Sequence, residues 1–156
     1  MTSLSEYQSR TQQFILYAPR LELHYVIPGL RCEIDEWIDT PEKTADELSE
    51  MGDCLFMLAR IFAHFGVAID DSTPALPGTL HDIRRASSKM LNVWLKVVYQ
   101  RDGVVDERQR ALILDHAVNA LCYLHTLTRA RGMTLGELAE SNIAKLTERY
   151  SGVNAA

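Results

Sequence analysis

Leu48, Met51, Leu55, Leu58, Phe62 and Phe65 recur every three or four positions along one stretch of the chain. Only an α-helix brings side chains at that spacing onto one face. The same period runs through Ile83, Ala86, Met90, Trp94 and Val97, and again through Leu114, Val118, Leu121 and Leu124. The apolar–polar alternation of a half-buried strand, bounded by Gly or Pro, does not occur. Helix-start signals recur in step: Ser3/Glu6, Thr44/Glu47, Thr79/Asp82, Asp106/Gln109 and Thr134/Glu137 each set a Ser, Thr or Asp three residues before an acid or amide. In such a pair each side chain can accept from the other residue's backbone N–H, satisfying donors that a helix start leaves orphaned.

The pattern predicts an all-α chain with a leading helix over about 5–17 and further helices near 20–39, 44–65, 79–101, 106–131 and 134–150. Pro28 must either begin or kink the second of these. "DDSTPALPG", residues 70–78, is the one clear loop, with two prolines and a glycine. It divides the chain without separating domains, because neither half could bury its helices alone. The 156 residues therefore read as a single domain, 1–156. Long helices with short links predict an antiparallel four-helix-bundle core with extra N- and C-terminal helices. The first pair would span about 20–65, the supporting second pair about 79–131 and the C-terminal helix about 134–150. The halves also suggest a degenerate helix-pair repeat, in which Trp37 falls on Trp94 and Gly66 on Gly132. In that register Glu33 and Glu36 meet Met90 and Val93, while Glu50 and Asp53 meet His116 and Asn119.

A net charge of -5 disfavours a broad electrostatic footprint on nucleic acid. No run approaches the ~20 apolar residues of a membrane span. Neither nucleic acid nor membrane is expected as a partner. Residues 1–10 show no basic start followed by an apolar run, so no secretory leader is expected. The three cysteines, Cys32, Cys54 and Cys122, form no CxxC and are odd in number, which argues against a disulfide framework or zinc ribbon. Each is expected to pack as a small apolar residue, in a reducing, cytoplasmic setting.

Chemistry gathers around two carboxylate pairs. "CEIDEWID" places Glu33 and Glu36 three apart, and "EMGDCLFMLARI" places Glu50 and Asp53 at the same spacing, so each pair shares one helix face. If the first helix ends near Asp39 and the next is capped by Thr44, an antiparallel hairpin overlaps their levels. All four acids then converge within roughly 10 Å, given the rise of a helix. Two carboxylates ~5 Å apart repel by about 3 kcal/mol at an effective dielectric of ~20, so convergence requires protons or a cation. All-oxygen ligation suits Mg²⁺ or Mn²⁺ better than zinc. The competing reading is a solvated surface: Asp46, Glu50, Asp53, Arg60 and His64 share one polar face opposite the Leu48–Phe65 stripe.

"GLRCEIDEW" followed by "DELSEMGDCLFMLARI" resembles the ExxE…ExxD signature of the MazG-like all-α nucleoside triphosphate pyrophosphatases. "ESNIAKLTERY" resembles the Asn-x-x-Lys-Leu-x-x-Arg ending common among them. The resemblance implies Mg²⁺-dependent hydrolysis of a nucleoside triphosphate to a monophosphate and pyrophosphate, clearing unwanted nucleotides. Glu33, Glu36, Glu50 and Asp53 match the family's metal ligands and form the expected catalytic and metal site. Lys145 and Arg149, with Asn142 beside them, match residues that would grip phosphates. Lys96 and Arg101 in "WLKVVYQRDG" are further phosphate candidates, whereas Trp37 and Trp94 are assigned to packing and His116 and His125 to no role. The sequence departs from several relatives at Cys32, where they carry an acid or small residue, and in its long second half. Short relatives assemble a four-helix unit from two chains, and a homodimer is expected here. Phosphoribosyl-ATP pyrophosphohydrolysis and a non-catalytic helical interaction module are the alternatives.

Overall fold

The computed structural model describes residues 2–154, with side chains through residue 151. Its helices are α1 (Leu4–Arg10), α2 (Glu22–Ile38), α3 (Ala45–His64), α4 (Leu80–Gln100), α5 (Glu107–Ala130) and α6 (Leu135–Asn154), with short 3₁₀ turns at Thr11–Phe14 and Pro19–Leu21. The described residues contain no strand. None of the described helices is long and apolar enough to cross a membrane.

Each expected helix start carries its cap. Ser3 Oγ accepts from Glu6 N–H at 3.2 Å and Thr44 Oγ1 from Glu47 N–H at 3.2 Å. Asp106 and Gln109 each accept from the other's backbone at 2.8 and 3.1 Å. Thr134 and Glu137 do the same at 3.1 and 3.0 Å, and Thr79 N–H donates to Asp82 Oδ2 at 2.7 Å. At the other end, α3 and α5 stop alike. Gly66 (φ 69°) and Gly132 (φ 75°) take the left-handed conformation, and the next residue, Val67 or Met133, bonds back to Phe62 O or Thr128 O. α3 and α5, the helices paired by the repeat expected from the sequence, thus end on the same kind of glycine stop.

α2 and α3 form an antiparallel hairpin, α4 packs on α2, and α5 packs on both α4 and α3, giving a four-helix core. α6 and α1 cover the remaining side of α3. α3 is consequently the central helix: from Met51 to Phe62 every residue but Asp53 is buried. The polar face read as possibly solvated is divided: Asp46 and His64 are exposed and Glu50 and Asp53 half-buried, but Arg60 is only 5% exposed. The start of α2 and the turn after α1 cover it, where Glu22 and Thr11 meet its guanidinium.

Two further expectations change and one is narrowed. The leading helix ends at Arg10, and residues 11–14 tighten into a 3₁₀ turn. There the Thr11 hydroxyl donates to Gln8 O at 2.6 Å, a local bond that competes with helix continuation. Of the two places open to Pro28, the start of α2 is excluded: the helix starts at Glu22 and continues past Pro28 to Ile38. With no N–H at Pro28, the carbonyl of His24 loses its helical donor. Cys54 and Cys122 are buried as expected, but Cys32 is exposed.

Candidate metal centre

The hairpin register sets the site. At one end Arg60 Nη2 donates to Glu22 Oε2 at 2.7 Å, tying α3 to the start of α2. About three turns up α2 from Glu22 and about three turns back along α3 from Arg60 lie Glu33 and Glu50. Glu33, Glu50 and Asp53 each place a carboxylate oxygen within 4.8 Å of the others, all three half-buried. The expected helix ends are present: Asp39 is the C-cap of α2 and Thr44 the N-cap of α3. Glu36 is exposed and stands outside the group of three, but close enough that its charge pushes up both Glu33 and Glu50.

The cluster is electrostatically expensive. Burial, then the charges of Asp53, Glu36 and Glu50, push Glu33 up to about 7, against the pull of Lys145. Glu50 is also raised, first by burial and then by Asp53 and Glu36, with Lys145 and a hydrogen bond to Glu33 opposing. Its Oε2 is buried with no hydrogen-bond partner among the described residues. A buried carboxylate oxygen left without a donor is costly unless a proton or cation meets it. An all-carboxylate donor set with one orphaned oxygen fits a hard divalent cation. Glu33, Glu50 and Asp53 could hold such an ion.

α6 closes the site from the third side. Lys145 Nζ sits 2.5 Å from Asp53 Oδ1 and also donates to Ser49 Oγ at 2.9 Å. Asn142, 2% exposed, donates from Nδ2 to the same Asp53 oxygen at 3.2 Å and accepts from the Tyr7 hydroxyl at 2.8 Å. Burial, then Asp53, pushes the Tyr7 hydroxyl well up, so it stays a donor. Gly52 allows this approach, since a Cβ there would lie 3.1 Å from Asn142 Nδ2 and 3.2 Å from its Cβ.

Next to the carboxylates opens a cleft of about 160 Å³ that Glu33 and Asp53 share with Phe14, Tyr17, Tyr25, Phe56, Tyr150 and Arg149. Tyr17 and Tyr25 stack at 4.9 Å, and Phe14 and Tyr150 meet at 6.2 Å. Of the residues matched to phosphate binding, Arg149 lines the cleft while Asn142 and Lys145 are bonded to Asp53. Lys96 and Arg101 are not brought to the acids. α4 runs antiparallel to α2, with Arg84 on Asp35 at 3.2 Å, Ser88 on Arg31 and Trp94 against His24 at 5.0 Å. That register puts exposed Lys96 level with the start of α2, roughly three turns from Glu33. Arg101 lies farther along and pairs with Asp106 at 2.9 Å. Trp37 and Trp94 are buried, 2% and 3% exposed.

Sequence reasoning missed the aromatic cleft. Its signal was the density of rings in "FILYAPRLELHY", residues 14–25, but that stretch was expected to be helical as far as 17 and again from about 20. The chain matches no protein-family model, no curated protein and no solved structure at a significant level. What it does must therefore be read from this site.

Proposed function

We propose that the chain is a Mg²⁺- or Mn²⁺-dependent nucleoside triphosphate pyrophosphohydrolase, converting a (d)NTP and water to a (d)NMP and pyrophosphate. One observation carries the reading: three carboxylates from two antiparallel helices converge, and two of them, Glu33 and Asp53, line a cleft that aromatic rings and Arg149 line as well. A nucleotide presents matching chemistry, an anionic phosphate chain that needs a cation and a planar ring that stacks. The ExxE…ExxD and Asn-x-x-Lys-Leu-x-x-Arg resemblances support the same assignment.

In this proposal Glu33, Glu50 and Asp53 hold the cation, which when bound polarises phosphoryl oxygens and lowers the pKa of the attacking water. Lys145 and Asn142 fix Asp53 through its Oδ1, leaving the other oxygen to point elsewhere. Arg149, exposed at the cleft, grips phosphate oxygens. Glu36, outside the group of three, is the carboxylate left to accept the proton from water. Tyr25 and its stacked partner Tyr17 offer a ring surface to the base. The expected homodimer belongs to the same proposal and is measured by sedimentation.

The non-catalytic reading also has an observation in its favour. Lys145 on Asp53, with a proton held near Glu33, partly neutralises the cluster without any metal. The two are separated by incubating the purified chain with (d)NTPs, with and without Mg²⁺, and assaying pyrophosphate. The expected result is release that needs Mg²⁺ and falls at least ~100-fold in Glu50→Gln. Release unchanged by that substitution overturns the site. No release from any nucleotide favours the interaction module, and turnover of phosphoribosyl-ATP alone narrows the enzyme to that substrate.

A further inference from the structure

We propose that Glu22 and Arg60, remote from the carboxylate cluster, are positioning residues that latch the aromatic wall of the cleft through the Tyr17 hydroxyl. The inference rests on reading the cleft as the site of a nucleotide's ring and deepens it, because it names what holds the ring's binding surface in place.

Residues 15–18 run between the two 3₁₀ turns as non-helical chain. The backbone bonds at its borders are local, Ile15 N–H to Gln12 O at 3.4 Å and Leu21 N–H to Ala18 O at 2.8 Å. Leu16 is 68% exposed, so it contributes little to holding the segment down. Phe14 is buried at one border, and the Tyr17 hydroxyl reaches inward to donate to Glu22 Oε2 at 2.8 Å. Tyr17 in turn stacks on Tyr25, which is 51% exposed and forms the open side of the cleft.

The anchor is built from buried charge. Glu22 and Arg60 are 6% and 5% exposed. Arg60 donates to Glu22 Oε2 from Nε at 3.2 Å and from Nη2 at 2.7 Å, while His64 Nδ1 meets Oε1 at 3.1 Å. The third guanidinium nitrogen, Nη1, reaches Thr11 Oγ1 at 3.4 Å. Thr11 opens the 3₁₀ turn before the segment and Tyr17 lies within it, so one ion pair holds the segment both at its approach and in its middle. Burial pushes Glu22 up, but the hydrogen bonds from His64, Arg60 and Tyr17 outweigh it and hold it at about 2, a permanent acceptor at neutral pH. A buried ion pair contributes little stability that apolar residues of similar volume would not. Its polarity here holds a hydroxyl that otherwise has no reason to point inward.

Tyr17→Phe tests the latch, since it keeps the ring and removes only the hydroxyl. Hydrogen exchange is expected to accelerate in residues 14–21 and to stay unchanged elsewhere, with the melting temperature nearly retained. KM for the nucleoside triphosphate should rise roughly five- to tenfold with kcat changed less than about twofold, since the binding-competent wall is populated less. Inhibition by inorganic tripolyphosphate, which has no ring to stack, should be unchanged. Unaltered exchange in 14–21 overturns the latch whether or not the chain is a hydrolase. Faster exchange with KM unchanged, or an equal loss of tripolyphosphate affinity, overturns its role in positioning the ring. Absence of hydrolysis in the unsubstituted chain rejects the enzymatic reading instead, and the exchange result then decides the latch alone.

Discussion

Glu33 shows what a half-buried acid does when two further acids share its pocket. Its carboxyl would ionise near 4.5 in the unfolded chain, whereas in the fold burial and its neighbours move it to about 7. Between those values the folded chain holds a proton that the unfolded chain has already released. The stability this supplies is complete below about pH 4.5 and is lost as pH rises to about 7, and Glu50, also raised, acts in the same direction. Thermal unfolding of the metal-free chain should therefore show a melting temperature that falls across this window. Glu33→Gln, which cannot ionise, should flatten the dependence and melt above the unsubstituted chain at about pH 8. A melting temperature that rises with pH over the same range would mean that the three carboxylates are not crowded in solution.

At the level of helices, the starts and the facing of α2 and α3 were legible, and the packing of the remaining elements on α3 was not. Thr44, Asp106 and Thr134 announce their helices because a cap is a local bond between neighbours in sequence. Those ends fixed the hairpin levels, so the meeting of Glu33 with Glu50 and Asp53 could be anticipated from helical rise alone. Which side of α3 lies uncovered cannot be, since α6 arrives from more than 80 residues away, as the span between Lys145 and Asp53 illustrates. Arg60 thus looked like surface and is core, and Asn142, matched to a phosphate grip, is buried against Asp53. Residues 11–21 failed for the opposite reason: their pattern is local, but their shape follows from bonds to Arg60 and Glu22 on other elements. Glu47 yields a test at this scale. It is 1% exposed, accepts from Lys43 N–H at 2.8 Å at the start of α3, and is paired at 2.5 Å with Arg131 just beyond α5. Arg131→Ala leaves that charge buried without its partner and should cost about 3–5 kcal/mol in denaturant unfolding. Replacing both, as Arg131→Met with Glu47→Leu, should recover much of the loss. Equal destabilisation in the single and double variants would place the cost in packing rather than charge.

The whole molecule stores repulsion where Glu33, Glu50 and Asp53 converge, so a cation bound there would be coupled to folding. An ion that binds only the folded chain, at free concentration ~100 times its Kd, adds about 2.7 kcal/mol. For a domain of this size that raises the melting temperature by roughly 5–10 °C. The rise should be larger near pH 8 than near pH 6, since a group titrating near 7 is roughly nine-tenths protonated at the lower pH and about one-tenth at the higher, and the Glu33 proton must leave for the ion to bind. Glu50→Gln and Asp53→Asn should abolish the shift, because each removes a member of the converging group. Glu36→Gln should retain most of it while slowing turnover, because Glu36 stands at the rim and is assigned the proton rather than the ion. Differential scanning calorimetry with Mg²⁺ and with Mn²⁺ measures the shifts, and the pyrophosphate assay measures the turnover. A shift that survives Glu50→Gln but disappears in Glu36→Gln would move the ion outward to the rim and exchange the two roles.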